Sequence, residues 1–131
     1  MTKEQAVRYL AVFTGGCLGG LARYAVGRLL APNSLEATLL VNWLGSFLLS
    51  FLTYSAAERF DLPDWLLLLL GTGLIGAFTT FSTLMGATVP VMRNSAAVLA
   101  FGYLALSLIG GLLLALAGML LAQRMGRRPR A

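Results

Sequence analysis

Three stretches of this chain contain no charged residue, and each is long enough to cross a membrane. They cover residues 37–57, 65–92 and 94–123. A helix needs about 20 apolar residues to span the hydrocarbon core of a bilayer, so each stretch predicts one transmembrane helix. A fourth, weaker span covers about residues 6–30 and contains Arg8, Arg23 and Arg28. These spans leave no room for a soluble domain, and the sequence predicts an all-α membrane protein.

The predicted order is four helices joined by short polar links. The helices cover about 5–30, 36–57, 65–91 and 95–123, within one transmembrane domain over residues 1–131. The links are predicted at Ala31–Ser34, at Glu58–Asp64 and at Arg93–Ser95, where proline, asparagine or charge interrupts the apolar pattern. We expect no cleaved signal peptide, because the first apolar stretch continues beyond the length of a signal h-region.

The net charge of +5 comes mainly from one basic cluster just beyond the last span: Arg124, Arg127, Arg128 and Arg130. Such a position is typical of a cytoplasmic flank or of contact with anionic headgroups, so we expect no nucleic-acid partner. The chain has no histidine, and Cys17 is its one cysteine. Zinc, haem and iron–sulfur sites would therefore lack their ligands, and we expect no enzyme.

The third span differs from the others in length and composition. Its uncharged run is 28 residues long, and its middle, Gly71–Thr83, is dense in glycine and threonine. Glycine adds backbone freedom and threonine hydroxyls compete for backbone partners, so the pattern predicts a broken third helix. A break at membrane depth is tolerated where it is buried in protein or lines a polar cavity. The alternative is that small residues simply allow close helix packing.

Polar residues form a face along the second predicted helix. They are Asn42, Ser46, Ser50 and Thr53, at helical spacing. An asparagine amide is a good anion donor, which suggests an ion pathway. The alternative is hydrogen bonding between helices, which contributes only about 0.6 kcal/mol on average.

The first and last helices carry weaker signals of the same kind. Gly16, Gly20, Arg23 and Gly27 share one side of the first helix, while Tyr103, Ser107 and Gly111 follow at i, i+4 and i+8 in the last. An intramembrane arginine is a functional candidate. Arg23 could instead extend its guanidinium to the nearer interface.

No aspartate or glutamate lies inside any predicted span. A proton-coupled exporter of cationic drugs needs a titratable carboxylate in the membrane, so this class lacks its mechanism. Hydroxyls, an amide and an arginine suit an anion instead. Aromatic rings have a positive edge, so Phe81 could present ring C–H groups to a small anion.

Four short segments together resemble the Fluc (also called CrcB) family of fluoride channels. They are Gly19–Tyr24, Val41–Ser46, Gly73–Gly76 and Thr79–Thr83. The length, the four-helix layout and the broken third helix are similar as well. The resemblance implies a fluoride-selective channel that exports fluoride, built as an antiparallel dimer with two pores between the subunits.

The resemblance also implies a structural sodium ion at the dimer centre, bound by backbone carbonyls at Gly76 and Thr79. Asn42 matches the pore-lining asparagine, Phe81 the first of two pore phenylalanines, and Tyr103 and Ser107 the polar side of the pore. The complete candidate pathway comprises Arg23, Asn42, Ser46, Phe81, Ser82, Thr83, Tyr103 and Ser107.

The chain departs from the family pattern at four positions. Leu84 stands for a second phenylalanine, Met85 for a serine, Ala87 for a glutamate, and Gly111 for a later serine. Part of the implied pore is therefore altered. The alternative to a channel is a non-conducting structural subunit that stabilises a related pore-forming chain.

Counting lysine and arginine residues predicts the orientation of the chain. With four spans, the termini and the second link share one side, which carries Lys3, Arg8, Arg59, Arg124, Arg127, Arg128 and Arg130. The other side carries Arg28 and Arg93, with Arg23 added if it extends outward. This bias favours termini-inside insertion. An antiparallel partner would then be a paralogue of opposite bias rather than a second copy of this chain.

Overall fold

The computed structural model describes residues 2–30, 35–58, 61–93 and 97–126, and almost all of the described part is helical. Helix α1 covers Lys3–Leu30 and α2 covers Leu35–Glu58. Helix α3 has three consecutive parts: Asp64–Leu67, the π-helical Leu68–Ile75, and Gly76–Phe78. Helices α4 and α5 cover Ser82–Arg93 and Ala97–Gly126.

The helices provide four spans that are long and apolar enough to cross a membrane, with α3 and α4 together making the third. The prediction of an all-α protein with four membrane helices is confirmed. Only 11–22 % of each span is buried within the chain, so most of its apolar surface must face lipid or another protein. The first link, much of the third, and the basic residues Arg59, Arg127, Arg128 and Arg130 lie outside the described residues.

Helix α2 packs extensively against α5. Two glycines of α5 permit this contact. Gly110 lies against the indole ring of Trp43, and Gly118 lies against the backbone at Phe47 and Phe51. The Trp43 Nε1–H also donates to the Ser107 carbonyl at 3.3 Å. Small residues thus bring the two helices close enough for a ring and a backbone to fill the interface.

A second close contact joins α1 to the π-helical part of α3. A Cβ atom added to Gly15 or Gly19 would collide with the carbonyl oxygens of Leu69 or Leu74, and one added to Gly73 would lie 2.8 Å from the Val12 carbonyl oxygen. The two backbones therefore touch where side chains are absent. At one end of this contact, Arg8 pairs with Asp64 at 2.8 Å.

Candidate functional site

The third span changes conformation between α3 and α4. Helix α3 ends at Phe78, Thr79 is extended with φ −76° and ψ 157°, and α4 begins at Ser82. We call residues 79–81 the connecting segment. Its position lies in the middle of the third span, where unpaired backbone groups must find partners inside the protein.

The Asn42 side chain of α2 supplies two of these partners. Its Nδ2 donates to the Thr80 carbonyl at 2.9 Å, and its Oδ1 accepts from the Thr80 N–H at 2.8 Å. The amide therefore pairs with the connecting segment as a neighbouring strand would. This contact matches the alternative given above for the polar face of α2, hydrogen bonding between helices. The Asn42 side chain also lines two grooves.

The Thr80 hydroxyl starts the next helix. It accepts from the Thr83 N–H at 3.2 Å and donates to the Thr83 hydroxyl at 3.0 Å. The Ser82 hydroxyl lies 3.4 Å from the Thr80 hydroxyl oxygen. A threonine oxygen bound to the N–H three residues later is an N-cap contact. Thr80 is buried, with 8 % of its surface exposed, so the cap is sheltered from solvent.

The Gly76 and Thr79 carbonyls lie at the end of α3 and receive long side-chain contacts. The Thr79 hydroxyl lies 3.3 Å from the Gly76 oxygen, and Arg23 Nη1 lies 3.4 Å from the Thr79 oxygen. Both distances exceed those of ordinary hydrogen bonds. Both residues line a groove of about 490 Å³ with Asn42 and Phe81. The groove therefore holds neutral oxygen atoms.

A second groove, of about 520 Å³, joins four of the pathway residues predicted from the sequence. Asn42, Ser46, Phe81 and Ser107 line it, from α2, the connecting segment and α5. The Phe81 side chain is 72 % exposed. The Ser46 hydroxyl donates to the Asn42 carbonyl at 2.8 Å. The single chain thus forms one polar wall with a projecting aromatic ring.

The remaining pathway candidates lie elsewhere. Arg23 and Thr83 line a separate groove of about 420 Å³, together with Arg28 and Thr80. The Arg23 guanidinium reaches the connecting segment rather than extending to the interface. The Tyr103 hydroxyl donates to the Leu35 carbonyl at 3.0 Å, at the start of α2. The Ser82 side chain is exposed beside the connecting segment.

The positions that depart from the family pattern have identifiable surroundings. Leu84 is buried, with 8 % exposed, and lines both grooves beside Phe81. Met85 and Gly111 line the 520 Å³ groove. A Cβ at Gly111 would lie 3.3 Å from the Ser46 hydroxyl oxygen, which is tighter than ordinary contact. The groove therefore has an aliphatic side chain where the family pattern has a second ring.

Two residues of the site were absent from the candidates chosen by sequence. Thr80 joins the connecting segment to both α2 and α4, and its spacing to Thr83 is an N-cap signal. Gly45 lies against the methyl group of Thr79, so a side chain at residue 45 would displace the connecting segment. Its sequence signals are its place in the Val41–Ser46 segment and on the same helical face as Asn42, three residues away.

Comparisons with known proteins identify the family of the chain. The family model described as "CrcB-like protein, Camphor Resistance (CrcB)" matches residues 10–119. The "Fluoride-specific ion channel FluC 2" of Ligilactobacillus salivarius is 47% identical over 118 residues, covering 90% of this chain and 87% of that protein. The "Fluoride-specific ion channel FluC" of Gloeobacter violaceus is 47% identical over 118 residues (86% and 93%). The "Fluoride-specific ion channel FluC 1" of Bacillus cereus is 40% identical over 110 residues (81% and 80%).

Proposed function

The chain belongs to the CrcB-like protein family, and we propose that it is a subunit of a fluoride channel in the inner membrane of a bacterium. The relatives named above are called fluoride-specific ion channels. The observation that carries the proposal is the groove lined by Asn42, Ser46, Phe81 and Ser107. It combines an amide, hydroxyls and an aromatic ring, and no carboxylate is among its described lining residues.

Each of these groups suits a small anion. The second hydrogen of the Asn42 amide can replace part of the hydration shell of an ion, the Ser46 hydroxyl can do so by turning away from the Asn42 carbonyl, and the edge of Phe81 offers a weakly positive surface. The Arg23 and Arg28 side chains line the neighbouring groove and raise the local anion concentration. The groove is open, so a second subunit has to supply the opposite wall of the pathway.

The direction of transport follows from acid–base chemistry. Hydrogen fluoride crosses membranes as a neutral weak acid and dissociates in the more alkaline cytosol. A passive fluoride pathway then allows the negative-inside membrane potential to drive the anion outward. In this proposal the connecting segment interrupts the helix of the third span for a functional reason, because it puts Phe81 and the Asn42–Thr80 pair at the groove.

Fluoride efflux from proteoliposomes tests the proposal. Vesicles loaded with potassium fluoride are diluted into fluoride-free buffer, and external fluoride is followed with an electrode. We expect release that requires valinomycin, because net anion movement needs a compensating potassium flux. Chloride-loaded vesicles are the selectivity control. Release equal to that of protein-free vesicles, both alone and with a co-reconstituted FluC 1-type relative, would contradict the proposal.

The second part of the proposal is a structural sodium ion bound by the Gly76 and Thr79 carbonyls at the centre of a dimer. The residues fit a hard monovalent cation through their two neutral carbonyl oxygens, and the Arg23 guanidinium, whose Nη1 lies 3.4 Å from the Thr79 oxygen, would have to move away from the ion because the two positive charges repel. Gly76 is also exposed on the groove side, which gives access to a partner. The ion would supply positive charge that holds the two connecting segments together.

The third part is an antiparallel heterodimer with a paralogue of opposite charge bias. The sequence count assigns seven basic residues to the side of the termini and Arg28 and Arg93 to the other side. The contact of Arg23 with the Thr79 carbonyl supports leaving Arg23 out of this count. Some of the matching relatives are named FluC 1 and others FluC 2. These numbered names support the existence of two such genes in one organism. The competing arrangement is a homodimer of chains inserted in both orientations.

Cysteine labelling in whole cells distinguishes the two arrangements. In a Cys17→Ser background, Asn94→Cys marks the side opposite the termini without changing the basic count, and Thr2→Cys marks the side of the termini. A membrane-impermeant maleimide should label Asn94→Cys and leave Thr2→Cys unlabelled until the cells are permeabilised. Comparable labelling of both sites in intact cells would show dual insertion and restore the homodimer.

A non-conducting structural subunit is the second candidate function, and Leu84 favours it. This buried leucine occupies the place next to Phe81 where the family pattern has a second ring. If this chain only stabilises a partner, its own pathway should be silent. Leu84→Phe in a silent dimer should then restore efflux. Efflux by the unmodified chain on its own would exclude this candidate.

A further inference from the structure

A continuous helix through residues 76–83 would have four i to i−4 backbone hydrogen bonds that this structure lacks, and two of them would occupy the carbonyls of the proposed sodium site. The Thr80 N–H would donate to the Gly76 carbonyl, and the Thr83 N–H to the Thr79 carbonyl, as i to i−4 pairs. In the structure both N–H groups donate elsewhere. Thr80 N–H donates to Asn42 Oδ1 at 2.8 Å, and Thr83 N–H donates to the Thr80 hydroxyl at 3.2 Å. The carbonyl oxygens of Gly76 and Thr79 therefore both lack the N–H donor that a continuous helix would provide.

Both acceptors that take these N–H groups are side chains held in place by further contacts. Asn42 Nδ2 donates to the Thr80 carbonyl at 2.9 Å, so its amide cannot rotate without losing two bonds. The Thr80 hydroxyl is buried and also donates to the Thr83 hydroxyl at 3.0 Å. Two side chains, from α2 and from the connecting segment, thus hold two of the four N–H groups away from the carbonyls that a continuous helix would give them.

The two oxygens concerned are suited to one kind of ligand. They are neutral carbonyls that receive contacts at 3.3 Å from Thr79 Oγ1 and at 3.4 Å from Arg23, and each carbonyl has two lone pairs. No carboxylate lies among the described residues of their groove. Protein sites for calcium and magnesium rely on carboxylates, so the chemistry favours a monovalent cation.

We propose that Asn42 and Thr80 are positioning residues for this cation: they take the N–H groups of Thr80 and Thr83 and so leave the Gly76 and Thr79 carbonyls open to it. This inference rests on the sodium site proposed above and adds the residues that create it. Removing the Thr80 hydroxyl returns the Thr83 N–H to the Thr79 carbonyl. Removing the Asn42 amide returns the Thr80 N–H to the Gly76 carbonyl. Either change extends the helix over the site.

Thermal unfolding of the assembled protein in detergent tests the inference, with this chain in full length and purified together with a co-expressed FluC 1-type relative. The midpoint temperature is measured as sodium chloride replaces N-methylglucamine chloride at constant ionic strength. A ligand that binds the folded state raises the midpoint with its concentration. We expect the half-saturating sodium concentration to rise at least about tenfold in Thr80→Val and in Asn42→Leu, and to stay at the wild-type value in Thr80→Ser, which keeps the hydroxyl.

Thr88→Val is the matched control. Thr88 is a buried threonine of α4 whose hydroxyl donates to the Leu84 carbonyl at 2.7 Å, so its loss removes one buried hydrogen bond outside the connecting segment. This variant should unfold at a lower temperature with an unchanged half-saturating sodium concentration. A wild-type sodium response in either Thr80→Val or Asn42→Leu would overturn the inference, as would a wild-type midpoint that does not depend on sodium.

The fluoride efflux assay separates this inference from the proposed function. A wild-type protein that conducts fluoride while Thr80→Val keeps the wild-type sodium response leaves the channel standing and overturns the positioning role. A wild-type protein that does not conduct, either alone or with a co-reconstituted FluC 1-type relative, contradicts the channel, and it still supports the positioning role if Thr80→Val loses sodium sensitivity while Thr80→Ser keeps it.

Discussion

Neighbouring glycines of α1 lie in opposite environments. Gly15 and Gly19 touch the α3 backbone at Leu69 and Leu74, whereas a Cβ atom added to Gly16 or Gly20, one residue further along, would have no described atom within 4 Å. We call these the inner and outer glycines. The inner pair is required by contacts within the chain. The outer pair faces open space, which lipid or a partner has to cover.

The same division continues at the connecting segment. Thr80 is buried and hydrogen-bonded on the inner side, while Phe81, the next residue, is 72 % exposed. Inner positions therefore determine whether one chain folds, because the atoms that they contact belong to the same chain. Outer positions determine what the folded chain can assemble with or conduct. This difference separates stability variants from functional variants.

The largest effect is expected for Gly19→Ala. Its Cβ would collide with the Leu74 carbonyl of α3, and overpacking against backbone costs about 1–3 kcal/mol. The free energy of unfolding in detergent, measured by reversible denaturation, should fall by that amount. Gly20→Ala is the matched control and should change this energy by less than about 0.5 kcal/mol. Equal losses in both variants would contradict the division into inner and outer glycines.

An intermediate effect is expected for Gly76→Leu, and it concerns assembly. A Cβ at this position would make an ordinary contact of 3.6 Å with the Gly71 carbonyl oxygen, so the single chain accepts it. A leucine side chain would crowd a partner that covers the groove, and we expect the dimer to dissociate about tenfold more readily, an energy of about 1.4 kcal/mol. Light scattering at varied detergent-to-protein ratios measures this.

Gly86→Leu provides the control for that assembly experiment. Gly86 is exposed in α4, has open space around it and lies outside the connecting segment. Its variant should dimerise as the wild-type protein does. Normal dimers in Gly76→Leu would argue against the proposed cation site at the dimer centre, since the carbonyl of this residue would be part of it.

The smallest effect is expected for Phe81→Ile. The ring is largely exposed, so the free energy of unfolding should remain within about 0.5 kcal/mol of the wild-type value. Loss of the aromatic edge, about 1 kcal/mol, should slow fluoride efflux about fivefold. Phe101→Ile, at a ring of α5 that is 61 % exposed, should leave efflux unchanged. Equal rates in the two variants would remove Phe81 from the pathway.

Part of the candidate site could be predicted from local sequence. Asn42 and Ser46 lie one helical turn apart, so helical periodicity alone puts them on one face, and the structure brings both to one groove with Phe81 and Ser107. The Thr80–Thr83 contact is also local. Tyr103 could not be assigned in this way, because its hydroxyl bonds to Leu35, 68 residues earlier in the chain.

The sequence by itself determined that the chain has four membrane helices. The cost of placing charge in a bilayer is high at every point along a span, so uncharged runs of sufficient length specify helices without knowledge of their neighbours. Only the tertiary structure decided which glycines are inner and which are outer. Gly15 and Gly16 have the same local propensities, and they differ in whether the backbone of α3, more than 50 residues later, approaches one side of α1 or the other. The Asn42–Thr80 pair was decided in the same way, because a hydrogen bond across 38 residues exists only after the helices have packed.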